Sequence, residues 1–204
     1  HYLCEQAREL NAQGNASGAL QCLQDALTEA PDAPRPRLLL GQLQLNQGQA
    51  LQACATLSQL FESASVAAPL AAASLVRAAQ AADQVPSVLS LLQQHYAQSP
   101  CIDVMDAIVA LEKTGSEGDK LTRQRYIEHL QKQPSLIAAS RWLAGADLGT
   151  EATSTPLQKA LEQAARPLAR YRCAACGFEA KEHFWHCPGC QAWDSYPPRR
   201  VEEL

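Results

Sequence analysis

Aromatic side chains are scarce in this chain of 204 residues: they make up 5% of it, against a hydrophobic share of 47%. The apolar surface is therefore mostly alanine and leucine, a helix-former's composition, and a core built around large rings is excluded. Long apolar runs are missing too. No stretch approaches the ~18 consecutive apolar residues needed to span a bilayer, and no signal-peptide pattern opens the sequence. Excess positive charge is absent: the net charge is −4 and the pI is near 5.7, which argues against steering by phosphate backbones. The first residue is His1 and the only methionine is Met105. The sequence reads as a piece of a longer protein, with any membrane anchor expected upstream.

Cysteine is plentiful by contrast, with eight in all. Cys4, Cys22, Cys54 and Cys101 are scattered and read as small, reduced, buried side chains in helix packing. The other four form two Cys-x-x-Cys pairs, Cys173/Cys176 and Cys187/Cys190, with ten residues between the pairs. Each pair makes a tight knuckle that points two thiolates at one ion, and two facing knuckles complete a tetrahedral four-sulfur site. Gly177 follows the first knuckle and Gly189 lies inside the second, so both are expected at positive φ. Four thiolates suit zinc and also a single iron, because both accept the geometry and the soft ligands. His183 and His186 lie between the knuckles and read as surface residues or as neighbours of the ligands. Two uses of the site stay open: a closed clamp that folds a segment too small for its own core, or a redox centre.

The first 65 residues carry an internal repeat. Gln13-Gly14 returns as Gln47-Gly48, Ala7 as Gly41, Ala19 as Ala53, Leu23 as Leu57 and Leu27 as Phe61, each at an offset of 34. That period is the tetratricopeptide (TPR) signature, with small residues where paired helices approach and a glycine at the turn. It predicts helices to about Gln13 and over 17–30, with Pro31 as the stop. A looser third pair is predicted over 70–82 and 86–97, and a fourth over 102–112 and 121–132 with a turn at 115–118. Pro100 and Pro134 are again 34 apart. A fifth pair is predicted over 135–148 and 155–165, with Thr155-Pro156 as a helix start and 151–155 as a loop.

The fold class expected is thus an all-α TPR solenoid with a small C-terminal rubredoxin-like or zinc-ribbon metal module. Residues 1–166 would form the repeat array, of about five helix pairs with the later ones degenerate, and 167–204 the four-cysteine domain. No nucleophile–base pair stands in register, so no catalytic residue and no organic cofactor is assigned. Asp103/Asp106 and Glu117/Asp119 read as capping or solvated carboxylates. Gly115–Gly118 lacks the ending of a phosphate loop. Trp142 reads as core or as part of a surface receiving the ribbon. The linker arginines of 166–172 read as a solvated helix end or as a docking patch. Arg170, Arg172, Arg199 and Arg200 flank the ribbon, but the overall acidity weighs against nucleic acid as a partner.

The ribbon resembles rubredoxin in Cys173-x-x-Cys176-Gly177-Phe178 and Cys187-Pro188-x-Cys190, with Phe178, Trp185 and Trp193 nearby. It departs from rubredoxin in a short inter-knuckle loop and in Gln191, where that family usually has glycine. Repeats followed by Tyr171-Arg172-Cys173, Cys176-Gly177-Phe178, Trp185-x-Cys187-Pro188-x-Cys190 and Trp193 resemble the lipopolysaccharide assembly protein B (LapB, or YciM) family. The stretch His129–Ser135 is similar as well. The resemblance implies a chain anchored by an N-terminal helix on the cytoplasmic face of the bacterial inner membrane, with the metal module packed on the repeats. It implies a non-enzymatic adaptor that promotes proteolysis of the deacetylase LpxC by the membrane protease FtsH, opposed by an inner-membrane regulator of the PbgA/YejM type. It implies Cys173, Cys176, Cys187 and Cys190 as the ligands of one iron or zinc. The alternative is a rubredoxin-type iron electron-transfer or redox-sensing module on a TPR docking scaffold.

Overall fold

The computed structural model describes residues 1–63, 65–113, 118–144 and 151–204, the side chains of 151–155 excepted. Ten α-helices lie among the described residues: α1 Tyr2–Ala12, α2 Ala16–Glu29, α3 Pro34–Asn46, α4 Ala50–Glu62, α5 Ala68–Ala81, α6 Val85–Gln98, α7 Ile102–Glu112, α8 Gly118–Lys132, α9 Leu136–Ala144 and α10 Glu151–Leu168. Two short strands follow, β1 Tyr171–Arg172 and β2 Glu179–Ala180. The chain divides into two compact units, His1–His95 and Tyr96–Leu204. No described helix is long and apolar enough to cross a membrane.

In the first unit the 34-residue repeat reappears in backbone hydrogen bonds. Helix α1 ends with Gly14 at φ 80, and α3 ends with Gly48 at φ 76. Asn15 N–H donates to Leu10 O at 2.8 Å and Gly14 N–H to Asn11 O at 3.0 Å; 34 residues on, Gln49 donates to Gln44 at 2.9 Å and Gly48 to Leu45 at 3.1 Å. This pairing satisfies two orphan carbonyls of each helix and needs a left-handed residue between. The third hairpin makes the same turn without glycine. Asp83 stands at φ 55, and Gln84 N–H reaches Ala79 O at 2.8 Å. Aspartate tolerates this conformation better than most residues.

Small residues set the helix spacing. Ala19, Ala53, Ala68, Ala71 and Ala78 are completely buried, as are Leu57, Leu60 and Leu75. At Gly41 a Cβ would stand 2.5 Å from Leu57 Cγ. Helix α1 and α3 leave between them a groove of about 260 Å³ whose walls include Arg8, Asn11, Gln42 and Asn46, with Leu23 and Leu43 among the apolar lining.

In the second unit α7 is buried along most of its length, through Val104, Met105, Ile108 and Leu111. His129 from α8 is 1% exposed, and its Nδ1 lies 2.6 Å from Tyr96 Oη. Burial pushes the His129 imidazole down from its usual value of 6.5. Asp103 and Asp106 are neither helix caps nor solvated carboxylates. Asp103 pairs with Arg200, while Asp106 takes the Tyr126 hydroxyl at 3.0 Å and Arg141 at 2.5 Å. Each carboxylate has a cation within reach on another element, which local spacing could not reveal. Asp119 is exposed, 3.9 Å from Lys113; Glu117 and the turn expected at 115–117 lie outside the described residues. Trp142 is half-buried, with the Arg123 guanidinium 5.8 Å from its ring centre. Residues 151–155, expected as a loop, form the first turns of α10, and the helix runs past 165 to Leu168. Pro156 is no helix start; it lies inside α10, where its missing N–H removes one bond near the open end of the helix.

Two measurements check these features. Gly41→Ala is expected to lower the thermal midpoint of the first unit, because overpacking costs about 1–3 kcal/mol, more than the ~1 kcal/mol that alanine's helix propensity returns. The second concerns His129. Its folded form resists protonation, so its stabilising contribution is complete above pH 6.5 and is lost as the pH falls below that value. Denaturant midpoints of wild type should drop from pH 7 to pH 5 by at most ~1.4 kcal/mol per pH unit from this group. In His129→Gln the drop should be smaller.

Candidate metal centre

Each knuckle is the loop of a miniature hairpin. Strands β1 and β2 pair antiparallel, Tyr171 with Ala180 and Arg172 with Glu179, and the first Cys-x-x-Cys lies between them. An isolated bridge between His186 and Trp193 closes the second. The backbone pattern is the same in both. Cys173 N–H donates to Phe178 O at 2.9 Å and Gly177 N–H to Cys173 O at 2.9 Å; Cys187 N–H donates to Ala192 O at 2.9 Å and Gln191 N–H to Cys187 O at 2.8 Å. Gly177 and Gln191 therefore hold equivalent places, and both are left-handed, at φ 77 and φ 60.

This corrects the expectation for Gly189, which is not among the residues at positive φ. Its lack of a side chain serves a different purpose: a Cβ there would stand 3.3 Å from the Phe178 side chain. The left-handed burden of the second knuckle falls on Gln191, where a side chain is strained.

The structure brings all four expected ligands together. The sulfurs of Cys173, Cys176, Cys187 and Cys190 lie within 4.8 Å of one another. Cys173 and Cys190 are 3.8 Å apart, Cys176 and Cys187 3.7 Å. A tetrahedron with metal–sulfur bonds of ~2.3 Å has edges of about 3.8 Å, so the donor set fits one such ion. Cys173 and Cys187 are buried, whereas Cys176 and Cys190 are exposed. The Ser195 hydroxyl, 3.2 Å from Cys173 Sγ, is the chief cause that brings the Cys173 thiol down to about 6. At Cys187 burial pushes the thiol up, but the backbone amides of Cys190 and Gly189 outweigh it and the net direction is down. Those two sulfurs are thus favoured as the thiolates a metal requires, whereas the Cys176 thiol, despite the Phe178 amide, is pushed up to about 12 by the neighbouring sulfurs and burial.

Neither histidine joins the sulfurs. His183 is part-buried, not a surface residue. Its Nε2–H donates to Tyr196 O at 3.0 Å, and its ring stands edge-on to Tyr171 and Trp185. His186 stacks on Trp193 at 4.4 Å. The flanking arginines are engaged. Arg172 pairs with Glu179 at 2.7 Å and Arg170 approaches it at 4.0 Å. Arg199 donates to Ser99 Oγ at 2.7 Å and Arg200 holds Asp103.

With that geometry in place, residues 171–198 match the LapB zinc-ribbon family, described as a rubredoxin metal binding domain. Residues 10–75 match a tetratricopeptide repeat family. Lipopolysaccharide assembly protein B of Escherichia coli (strain K12) is 24% identical over 209 residues, covering 98% of this chain. The chain is similar to LapB along nearly its whole length. The protein of the same name from Haemophilus influenzae is also 24% identical, over 222 residues and 98% of the chain. The chain spans about half the length of these curated relatives, 52% and 51%. The fold is accordingly an all-α TPR array with a four-cysteine ribbon, and the likeness to LapB extends along both parts.

Substitutions at the two equivalent left-handed positions should have opposite effects. Gln191→Gly is expected to raise the stability of the metal-loaded protein by about 1 kcal/mol, and Gly177→Ala to lower it by about 1–2 kcal/mol. No atom lies within 4 Å of a Cβ at Gly177, so that loss isolates the backbone cost. Thermal unfolding with zinc bound reads both.

Proposed function

We propose that this chain is the regulatory part of an adaptor in lipopolysaccharide assembly, working by binding proteins and without a reaction of its own. The observation that carries the reading is the joint likeness of repeats and ribbon to lipopolysaccharide assembly protein B over 98% of the chain. In this reading the adaptor sits at the cytoplasmic face of the inner membrane. It brings the deacetylase LpxC to the membrane protease FtsH, and an inner-membrane regulator of the PbgA/YejM type opposes it.

The chemistry of the chain supports such a role. Helical repeats bury their apolar faces on their neighbours and leave a groove for a partner. Here the groove between α1 and α3 presents Asn11, Gln42 and Asn46 beside apolar walls. Side-chain amides both donate and accept, so they satisfy the main chain of an extended segment. Nucleic acid is not among the proposed partners. The four arginines around the ribbon face carboxylates, a hydroxyl or carbonyls of the chain itself, and the net charge is −4.

The test is affinity capture from source-cell membranes, comparing the native full-length protein with its Cys173→Ser/Cys176→Ser form. Retention of a membrane protease and a lipid A biosynthetic enzyme by the native protein, with loss of either by the variant, is the expected result. Retention of reductases or oxidases, together with reversible cycling between two iron states, would replace the adaptor with the electron-transfer reading.

A further inference from the structure

The residues after the second knuckle have two sets of attachments. Residues 192–196 are woven into the ribbon. Ala192 O accepts from Cys187 N–H at 2.9 Å, Asp194 N–H donates to Trp185 O at 2.8 Å and Ser195 O accepts from Ala174 N–H at 2.7 Å. The Tyr196 hydroxyl donates to Phe178 O at 3.1 Å. Pro197 and Pro198 follow, a stiff pair with fixed φ.

Residues 199–203 then bond to the helices of the same unit. Helix α7 has Cys101 at its N-cap, which makes no side-chain capping bond; instead Glu203 Oε1 accepts from Ile102 N–H at 2.7 Å. At α9, Glu202 takes the hydroxyl of Ser135 at 2.7 Å, the N–H of Leu136 and the N–H of Ile137 at 3.3 Å. One carboxylate thus serves each helix start, where orphan donors and the helix dipole favour negative charge. Arg200 lies between them. Its guanidinium grips Asp103 of α7 at 2.7 Å and 3.0 Å, donates to Ala169 O at 2.7 Å and covers the Tyr171 ring at 4.3 Å.

We infer that residues 199–203 are a strap that makes metal binding at the four cysteines and capping of α7 and α9 a single coupled equilibrium. The ribbon has only two strands of two residues each, so its order depends on the metal. An ordered ribbon presents the strap at high effective concentration to the two helix starts. A ribbon without metal leaves the strap on a loose tether, and the orphan N–H groups return to solvent. Linkage makes the effect reciprocal: whatever factor the metal contributes to strap docking, the docked strap contributes to metal retention.

The experiment has two arms on the full chain. In the first, zinc is transferred to a colour-forming chelator from wild type, from Arg200→Gln and from Glu202→Gln/Glu203→Gln. Transfer from both variants should be faster by about fivefold or more, although none of the three residues touches a sulfur. Circular dichroism checks that the variants keep wild-type helix content. The second arm needs no substitution. Amide exchange at Ile102, Leu136 and Ile137 is compared in wild type with zinc bound and after chelation, and should accelerate on chelation. Unchanged zinc transfer in the folded variants, or unchanged exchange at those three amides, overturns the strap. Both arms read the metal and the backbone, so neither outcome depends on which protein the chain regulates.

Discussion

Convergence of four sulfurs is the constraint on which the C-terminal part of this chain rests. Residues 171–198 contain four residues of paired strand. Besides the buried Cys173 and Cys187, only Tyr171 and Tyr196 are buried apolar side chains there, a core too small to hold the knuckles in place alone. A structural metal supplies about 10–16 kcal/mol to a module of this kind. That is comparable to the whole stability of an ordinary domain. The hydrogen bonds around the sulfurs, from Ser195 and from the knuckle amides, then shape a site whose existence the ion secures. The same constraint explains the strain at Gln191. A knuckle closed by a metal tolerates a left-handed side chain that an unaided hairpin would reject.

The repeat end rests on a different economy, in which spacing is set by what is absent. Ala19, Ala53 and Gly41 keep paired helices close, and Leu57 fills the space that a larger residue at 41 would take. These positions were legible because the repeat displays them twice at a fixed offset. The turn glycines were legible for the same reason. Asp83 was not, because it makes the glycine's turn with a residue that sequence alone assigns equally to caps and loops. Gly189 shows the opposite failure. Its residue type suggested a backbone need, whereas the real demand is room for Phe178, a contact from the other knuckle.

The four metal-ligand cysteines could be read from spacing, since a knuckle is a local device. What could not be read is the way the ribbon is tied down. Arg200 meets Asp103 across 97 residues of chain, and Glu202 meets Ser135 across 67. Nothing local marks these residues, because an Arg-Arg-Val-Glu-Glu run is also what a solvated terminus looks like. The arginines of 166–172 carried the more visible signal for docking. Two of them instead brace Glu179 inside the ribbon.

Burial of the ligand residues alternates along the chain: Cys173 and Cys187 are buried, and Cys176 and Cys190 are exposed. The centre therefore has a front and a back. A thiol or an oxidant arriving from solvent meets the second sulfur of each knuckle first, while the first sulfur of each stays shielded. Chemistry that attacks thiolates from solvent thus has one half of this centre to act on before the other.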